Sequence, residues 1–270
     1  MWLASYPKSG NTWVRMFLAN YLLGAEQPLP INDVHRFAIG DALAVLYHRV
    51  NHGRYDPRDL QGHLRLRGNV MRAITGQGAD LSFVKTHNRN ATISGIRLID
   101  PMFTKGAIYI VRDPRDVAIS YARHYGTTPS AACREISHED NGVVADRSNV
   151  TQYLGNWSRH VRDWTRAKGF KVHTIRYEDM KADPQATFEK LLGFIGLPVD
   201  QEKLERAVRF SSFDELKAQE AKTGFIERSR NSDSFFYSGT LRQWEGVLTD
   251  DDLAYLTEQH GPQMKRFGYL

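Results

Sequence analysis

The octet Tyr6-Pro7-Lys8-Ser9-Gly10-Asn11-Thr12-Trp13 lies between a short apolar run, Trp2-Leu3-Ala4-Ser5, and an amphipathic one, Val14 to Leu23. This order predicts a strand, a tight polar turn and a helix. Such a turn aims several backbone N–H groups at one point, on the positive end of a helix dipole. Gly10 lets the backbone approach a ligand closely, and Lys8 adds a mobile point charge. These residues predict a seat for an anion, a phosphate or a sulfate. An ordinary strand-to-helix turn with a surface lysine is the plainer alternative. The turn is not the nucleotide loop G-x-x-x-x-G-K-[ST], whose Ser or Thr holds Mg²⁺. Lys8 precedes the glycine, and no Gly-Lys-Ser/Thr follows.

Three further β-like runs follow Met1–Tyr6: Ser82–Thr86, Ala107–Arg112 and Lys171–Arg176. Helical patterns separate them at Thr12–Leu23, Pro57–Ile74, Pro114–Tyr125, Val150–Ala167 and Ala186–Ile195, and Leu248–His260 reads as a late helix with an acidic first turn. Gly62 and Gly68 interrupt the second pattern. Strands alternating with helices predict an α/β fold, a central parallel sheet of about four or five strands between two helical layers. In such sheets ligands bind beyond the carboxyl ends of the strands. Those ends carry the octet, Lys85-Thr86-His87, Arg112-Asp113-Pro114-Arg115-Asp116 and Tyr177-Glu178-Asp179. Charged, titratable and aromatic groups therefore converge on one sheet edge.

The 270 residues, 41% of them hydrophobic, suffice for one large domain or two small ones. No run approaches the ~20 apolar residues of a membrane span. Lys8, Asn11 and Arg15 interrupt the first apolar stretch, so it reads as a domain start rather than a leader. A single cysteine, Cys133, excludes an intrachain disulfide and a cysteine-rich zinc site, and suits a reducing, cytoplasmic setting. The net charge of +5 favours anionic ligands. Basic residues are too scattered for a nucleic-acid patch. His63-Leu64-Arg65-Leu66-Arg67 reads as a half-buried element with solvated arginine heads.

Arg112 ends an apolar strand. Asp113 suits the cap of the next helix and Pro114 its first turn, so Arg112 stands near a helix N-terminus. Ser120 follows eight residues later. An Arg–Asp ion pair closing the turn is the alternative reading. Together, Tyr6–Trp13 and Arg112–Ser120 resemble the paired signatures of the PAPS-dependent sulfotransferases of the cytosolic type, PAPS being 3'-phosphoadenosine 5'-phosphosulfate. Phe83–His87, Tyr177–Met180 and Ser211–Phe213 extend the resemblance over most of the chain.

The resemblance implies a P-loop-like three-layer fold and a single domain over residues 1–270, with acceptor-facing insertions at about 24–80 and 126–149. It implies transfer of a sulfuryl group from PAPS to a hydroxyl or amine of a small-molecule or carbohydrate acceptor, releasing PAP, with no metal. Lys8 would contact the oxygen bridging phosphorus and sulfur. Ser9, Gly10, Asn11 and Thr12 would hold the 5'-phosphate, and Trp13 would stack on adenine. Arg112 and Ser120 would read the 3'-phosphate. Tyr177, Ser211 and Phe213 would lie near the adenine. His87 would be the general base, since an imidazole of ordinary pKa ~6.5 can take a hydroxyl proton at neutral pH, with Lys85 helping at the sulfuryl group. Of the other histidines, His173 is expected to pack inside its strand and His124 to face a helix dipole. Ser137-His138-Glu139-Asp140 is expected in a solvated loop.

One departure stands out. Where many relatives carry R-K-G late in the chain, over the 3'-phosphate, this sequence has Tyr237-Ser238-Gly239. Arg228, Arg230 and Arg242 are the candidates to compensate, and weaker cofactor retention is expected. The acceptor segments contain Phe37, Tyr47, His48 and Tyr55, with Tyr125 at the edge, which select no particular acceptor. A P-loop kinase using ATP and a non-catalytic nucleotide-binding protein of the same fold are the competing readings. Oligomeric state is open.

Overall fold

The computed structural model describes residues 1–76 and 78–270. Five strands, β1 (Trp2–Ser5), β2 (Ala38–Gly40), β3 (Phe83–Thr86), β4 (Gly106–Val111) and β5 (Lys171–Arg176), form one parallel sheet in the order β2-β3-β1-β4-β5. β1 pairs with β3 on one side (Leu3 opposite Lys85) and with β4 on the other (Leu3 opposite Ile108). The strand order therefore reverses at β1, and a crevice opens at its carboxyl end, where the octet begins.

Alternation of side chains divides the sheet between two cores. Trp2, Ala4, Val84, Ala107, Tyr109 and Val111 face one core, and Leu3, Phe83, Ile108, Ile110 and Ile175 face the other. Against the second face pack α1 (Asn11–Leu23), α8 (Pro184–Ile195) and α9 (Gln201–Phe210), through Phe17, Phe188 and Leu204 among others. The first face carries α3 (Leu60–Thr75), α4 (Pro114–Tyr125), α5 (Pro129–Ser137), α6 (Trp157–Thr165) and α11 (Asp250–Arg266). The remaining helices are α2 (Ala44–Val50), α7 (Tyr177–Ala182), α10 (Phe213–Thr223) and the single turn Val34–Phe37. The α/β sandwich with a five-strand parallel sheet agrees with the sequence expectation. Among the described residues no helix is long and apolar enough to cross a membrane.

Local differences have local causes. The helix expected over Val150–Ala167 begins only at Trp157. Gly155 adopts φ +63°, and Asn156 accepts from the Arg159 N–H as an N-cap, so the residues before it form loop and the short strand Gln152–Tyr153. α11 runs on to Arg266, and a reciprocal Thr249/Asp252 cap opens it. Arg67 is buried rather than solvated: it pairs with Asp41 at 2.5 Å and donates to the Leu98 carbonyl, while Arg65 alone of the two reaches water. His173 stacks on Phe194 at 5.2 Å, as expected. Ser137 closes α5 and contacts His260 at 3.0 Å, so only His138, Glu139 and Asp140 are solvated.

A third, smaller core of Met16, Ile31, Val34, Leu216, Phe225 and Phe236 pins residues 224–239 against α1 and α10. This segment lies over the octet.

Candidate active site

All the strand ends named above open into one cavity of about 740 Å³. Of the fifteen residues singled out from sequence, only Ser9 does not line it. Ser9 is 1% exposed, beneath the loop, and its Oγ has no hydrogen-bond partner.

The anion loop is held open by local geometry. Lys8 has φ +69° and Gly10 φ +102°, so two of its residues occupy the left-handed region. For Gly10 the reason is partly internal. A Cβ there would lie 2.7 Å from the Tyr177 ring, so the missing side chain lets α7 close on the loop. Asn11 braces the loop from below by donating to the Leu3 carbonyl at 2.9 Å. Thr12 Oγ1 is already engaged, 2.9 Å from Arg15 and 3.4 Å from Glu227. The ammonium of Lys8 lies 4.0 Å over the Phe235 ring. Burial, with Arg112 nearby, lowers its pKa to about 8.

His87 follows directly on β3, which ends at Thr86. Its Nδ1 lies 2.9 Å from the Ser5 carbonyl oxygen. A carbonyl only accepts, so Nδ1 carries the proton and Nε2 keeps its lone pair. No protein group among the described residues bonds Nε2, and the ring lines the cavity. Burial, then the Lys85 charge, pushes its pKa well below the ordinary histidine value, so the imidazole is neutral at pH 7. Its backbone is fixed in turn. His160, fully buried on α6, is 3.1 Å from the His87 carbonyl through Nε2 and 2.9 Å from the Tyr109 hydroxyl through Nδ1. The Trp164 indole donates to the Asn88 carbonyl at 3.0 Å.

Glu227 was not anticipated. Its carboxylate takes two hydrogen bonds from Arg15, at 2.9 and 2.7 Å, and one from Lys85 at 3.3 Å. Burial alone would raise its pKa, but Arg15 and Lys85 outweigh burial and hold it well below the usual carboxylate range. It ties the covering segment to α1 and β3. Burial also lowers the pKa of Lys85, which Glu227 partly restores.

At the other end of the cavity Arg112 is 5% exposed. Its Nη1 donates to the Lys8 carbonyl at 3.2 Å, and its guanidinium lies 4.2 Å over the Tyr177 ring. Nε and Nη2 have no hydrogen-bond partner, although Asp116 stands 3.5 Å from Nη2. Asp113 caps α4 and pairs with Arg115, so the Arg–Asp ion pair of this turn is the one between Arg112 and Asp116, which leaves the Arg112 Nε and Nη2 without a hydrogen bond. Two unsatisfied buried N–H groups suit an incoming anion. Ser120 lies on the cavity side of α4. Trp13 meets Tyr177 and Phe188 edge-on at 5.9 and 6.0 Å, leaving it as one wall. Ser211 gives its hydroxyl to the Ala207 carbonyl, so its contribution to the cavity is shape. Gly239 has φ +63° and packs where a Cβ would meet Phe213 at 2.5 Å.

Two expectations need correction. His124 does not merely end a helix. It lines the cavity, and burial with the nearby Lys8 lowers its pKa to about 4. Of the arginines proposed to compensate for Tyr237-Ser238-Gly239, Arg242 turns out to Glu245 and Arg230 is exposed off the cavity, while Arg228 lines the cavity and donates through Nη1 to the Asp233 carbonyl. The guanidinium near Tyr237 belongs to Arg123.

The chain spans about half to three-fifths of the length of the curated relatives it matches. It is 27% identical over 186 residues to sulfotransferase 1C2 of Oryctolagus cuniculus, covering 63% of this chain and 59% of that protein. It is 32% identical over 155 residues to sulfotransferase 1A1 of Bos taurus, covering 53% and 49%. The fold is shared with mouse sulfotransferase SULT7A1, solved in complex with PAP (TM-score 0.63, 22% identity, 100% of this chain and 88% of that one). It is shared also with retinol dehydratase, solved with androsterone and PAP (TM-score 0.64, 18% identity, 98% and 80%). The family model for the sulfotransferase domain matches residues 1–268, and the chain belongs to that family.

Proposed function

We propose that this chain transfers the sulfuryl group of PAPS to a hydroxyl of a small-molecule acceptor, with release of PAP. The observation that carries the reading is that a neutral His87, its Nε2 free, faces the same cavity as Lys8 and Lys85. The fit of the nucleotide is supported by the unsatisfied Nε and Nη2 of Arg112, and by the aromatic walls Trp13, Tyr177 and Phe213. The two phosphate groups would then lie at the octet and at Arg112 with Ser120.

In this reading the acceptor oxygen attacks sulfur in line. His87 takes the hydroxyl proton at Nε2 as the new oxygen–sulfur bond forms. The bond from sulfur to the bridging oxygen breaks, and Lys8 meets the charge left on that oxygen. A cation placed in advance stabilises that charge more in the transition state than in the ground state. Lys85 would steady the transferring oxygens, and its contact with Glu227 fixes its position. The acceptor would enter between His35, Leu43 and Val143, from the two segments expected to face it.

Thermal unfolding with PAP, ADP and AMP tests the cofactor. A ligand at one hundred times its dissociation constant adds about 2.7 kcal/mol of stability. PAP should raise the midpoint well above the other two nucleotides. Equal shifts, or none, would overturn the assignment.

A further inference from the structure

Arg123 lies one turn beyond Ser120 on α4, and both line the cavity beside Arg112. Residues three apart on a helix are neighbours on one face. The Arg123 guanidinium stacks 3.8 Å over the Tyr237 ring, and its Nη1 donates to Gln243 Oε1 at 3.1 Å. Nε and Nη2 make no hydrogen bond to the described residues, and no carboxylate among them pairs with it. This sets it apart from Arg15, Lys85 and Arg112, each of which has a carboxylate within ion-pair distance. A half-buried cation without a counter-charge, flattened on an aromatic face, is an anion receptor held in one orientation.

Resting on the cofactor reading above, we propose that Arg123 is a second arginine ligand of the nucleotide's 3'-phosphate, sharing it with Arg112 and Ser120. The ring of Tyr237 orients the guanidinium, and Gln243 occupies one edge, leaving Nε and Nη2 to the ligand. Two guanidinium groups and a hydroxyl match a phosphate monoester, which carries up to two negative charges and presents three acceptor oxygens. The charge that the covering loop lacks at Tyr237-Ser238-Gly239 is thereby supplied from the helix below it. Retention of PAP should accordingly be strong, against the expectation drawn from the loop sequence alone.

The test is a binding cycle by titration calorimetry, wild type and Arg123→Gln, each with PAP and with AMP, which differ only in the 3'-phosphate. Loss of a charge-assisted pair predicts a PAP affinity about 10–100-fold lower, with AMP unchanged within about threefold. Arg123→Lys keeps the charge but not the planar fork, so it should recover part of the loss. Equal weakening of both nucleotides, or no change in either, would overturn the proposal while leaving the cofactor reading intact. A wild type that does not distinguish PAP from AMP would overturn both. Melting curves of the unliganded variants check folding, and Tyr237→Leu, which removes only the stacking face, should also weaken PAP selectively.

Discussion

The Nδ1 of His87 is 2.9 Å from the backbone oxygen of Ser5, the last residue of β1. One hydrogen bond thus joins the candidate base to the strand that launches the anion loop. It fixes the tautomer and aims Nε2 at the cavity. Because Ser5 leads directly into the turn that carries Lys8, the base and the cation that would meet the leaving group are tied to the same stretch of chain. His160 holds the His87 carbonyl from behind, so it acts on the base through the backbone.

Lys8 has a pKa lowered to about 8 by burial and Arg112. It must be protonated to act, so PAPS kcat/KM, which reports the free enzyme, should fall as pH rises through about 8. In Lys8→Arg the alkaline limb should move beyond pH 10, because arginine stays charged, even if the rate is lower. A limb at the same pH in that variant would assign it to another group.

Glu227 neutralises part of the charge that the cofactor needs. Glu227→Gln should leave the buried Arg15 short of its counter-ion and cost about 3 kcal/mol of stability. The same change removes a negative charge beside Lys85, so PAP should bind more tightly. Chemical denaturation and PAP titration on one preparation give both signs. A loss of PAP affinity would mean that Glu227 positions the lysine more than it offsets it.

Gly10→Ala imposes backbone strain of about 1–3 kcal/mol at φ +102°, and its methyl displaces the Tyr177 ring. Both stability and PAP affinity should fall. Gly68→Ala, on an open helical position, is the control and should be neutral or stabilising. An unchanged PAP affinity in Gly10→Ala would show that Tyr177 is free to move.

The buried His160 and His260 have pKa values lowered by burial to about 3 and about 4. Unfolded, each would titrate near ~6.5. Their stabilising effect is complete above that pH. It is lost as pH falls, because the unfolded chain then binds the extra protons. Each should contribute a slope of about 1.4 kcal/mol per pH unit between roughly pH 6 and pH 4. Denaturant midpoints across that window should drop steeply, and less so in His260→Gln. A flat profile would contradict neutral burial.

The sheet was legible because its strands are short apolar runs with punctuation, and because the octet carries its own turn chemistry. β2 was not: three residues, Ala38–Gly40, hold no periodicity and are extended only by pairing with β3. The candidate groups on strand ends were legible for the same topological reason. Glu227 was not, since it lies 212 residues from Arg15 in sequence and no local pattern marks it. Arg123 is a basic residue in the last turn of α4 that no local pattern marks, and it gains significance only through the ring of Tyr237, 114 residues on. His160 had a weak signal: with Trp157, Val161 and Trp164 it falls on the apolar stripe of α6, where a histidine must find partners.

The most direct test of sulfuryl transfer follows acceptor-dependent release of PAP from PAPS, in wild type and in His87→Ala, across small phenols, alcohols and sugars. Wild type should release PAP with at least one acceptor and form the matching sulfate ester. His87→Ala should be slower by about 10²–10⁴-fold while binding PAP as tightly. No sulfate ester with any acceptor, or a variant as fast as wild type, would contradict His87-assisted transfer at this site.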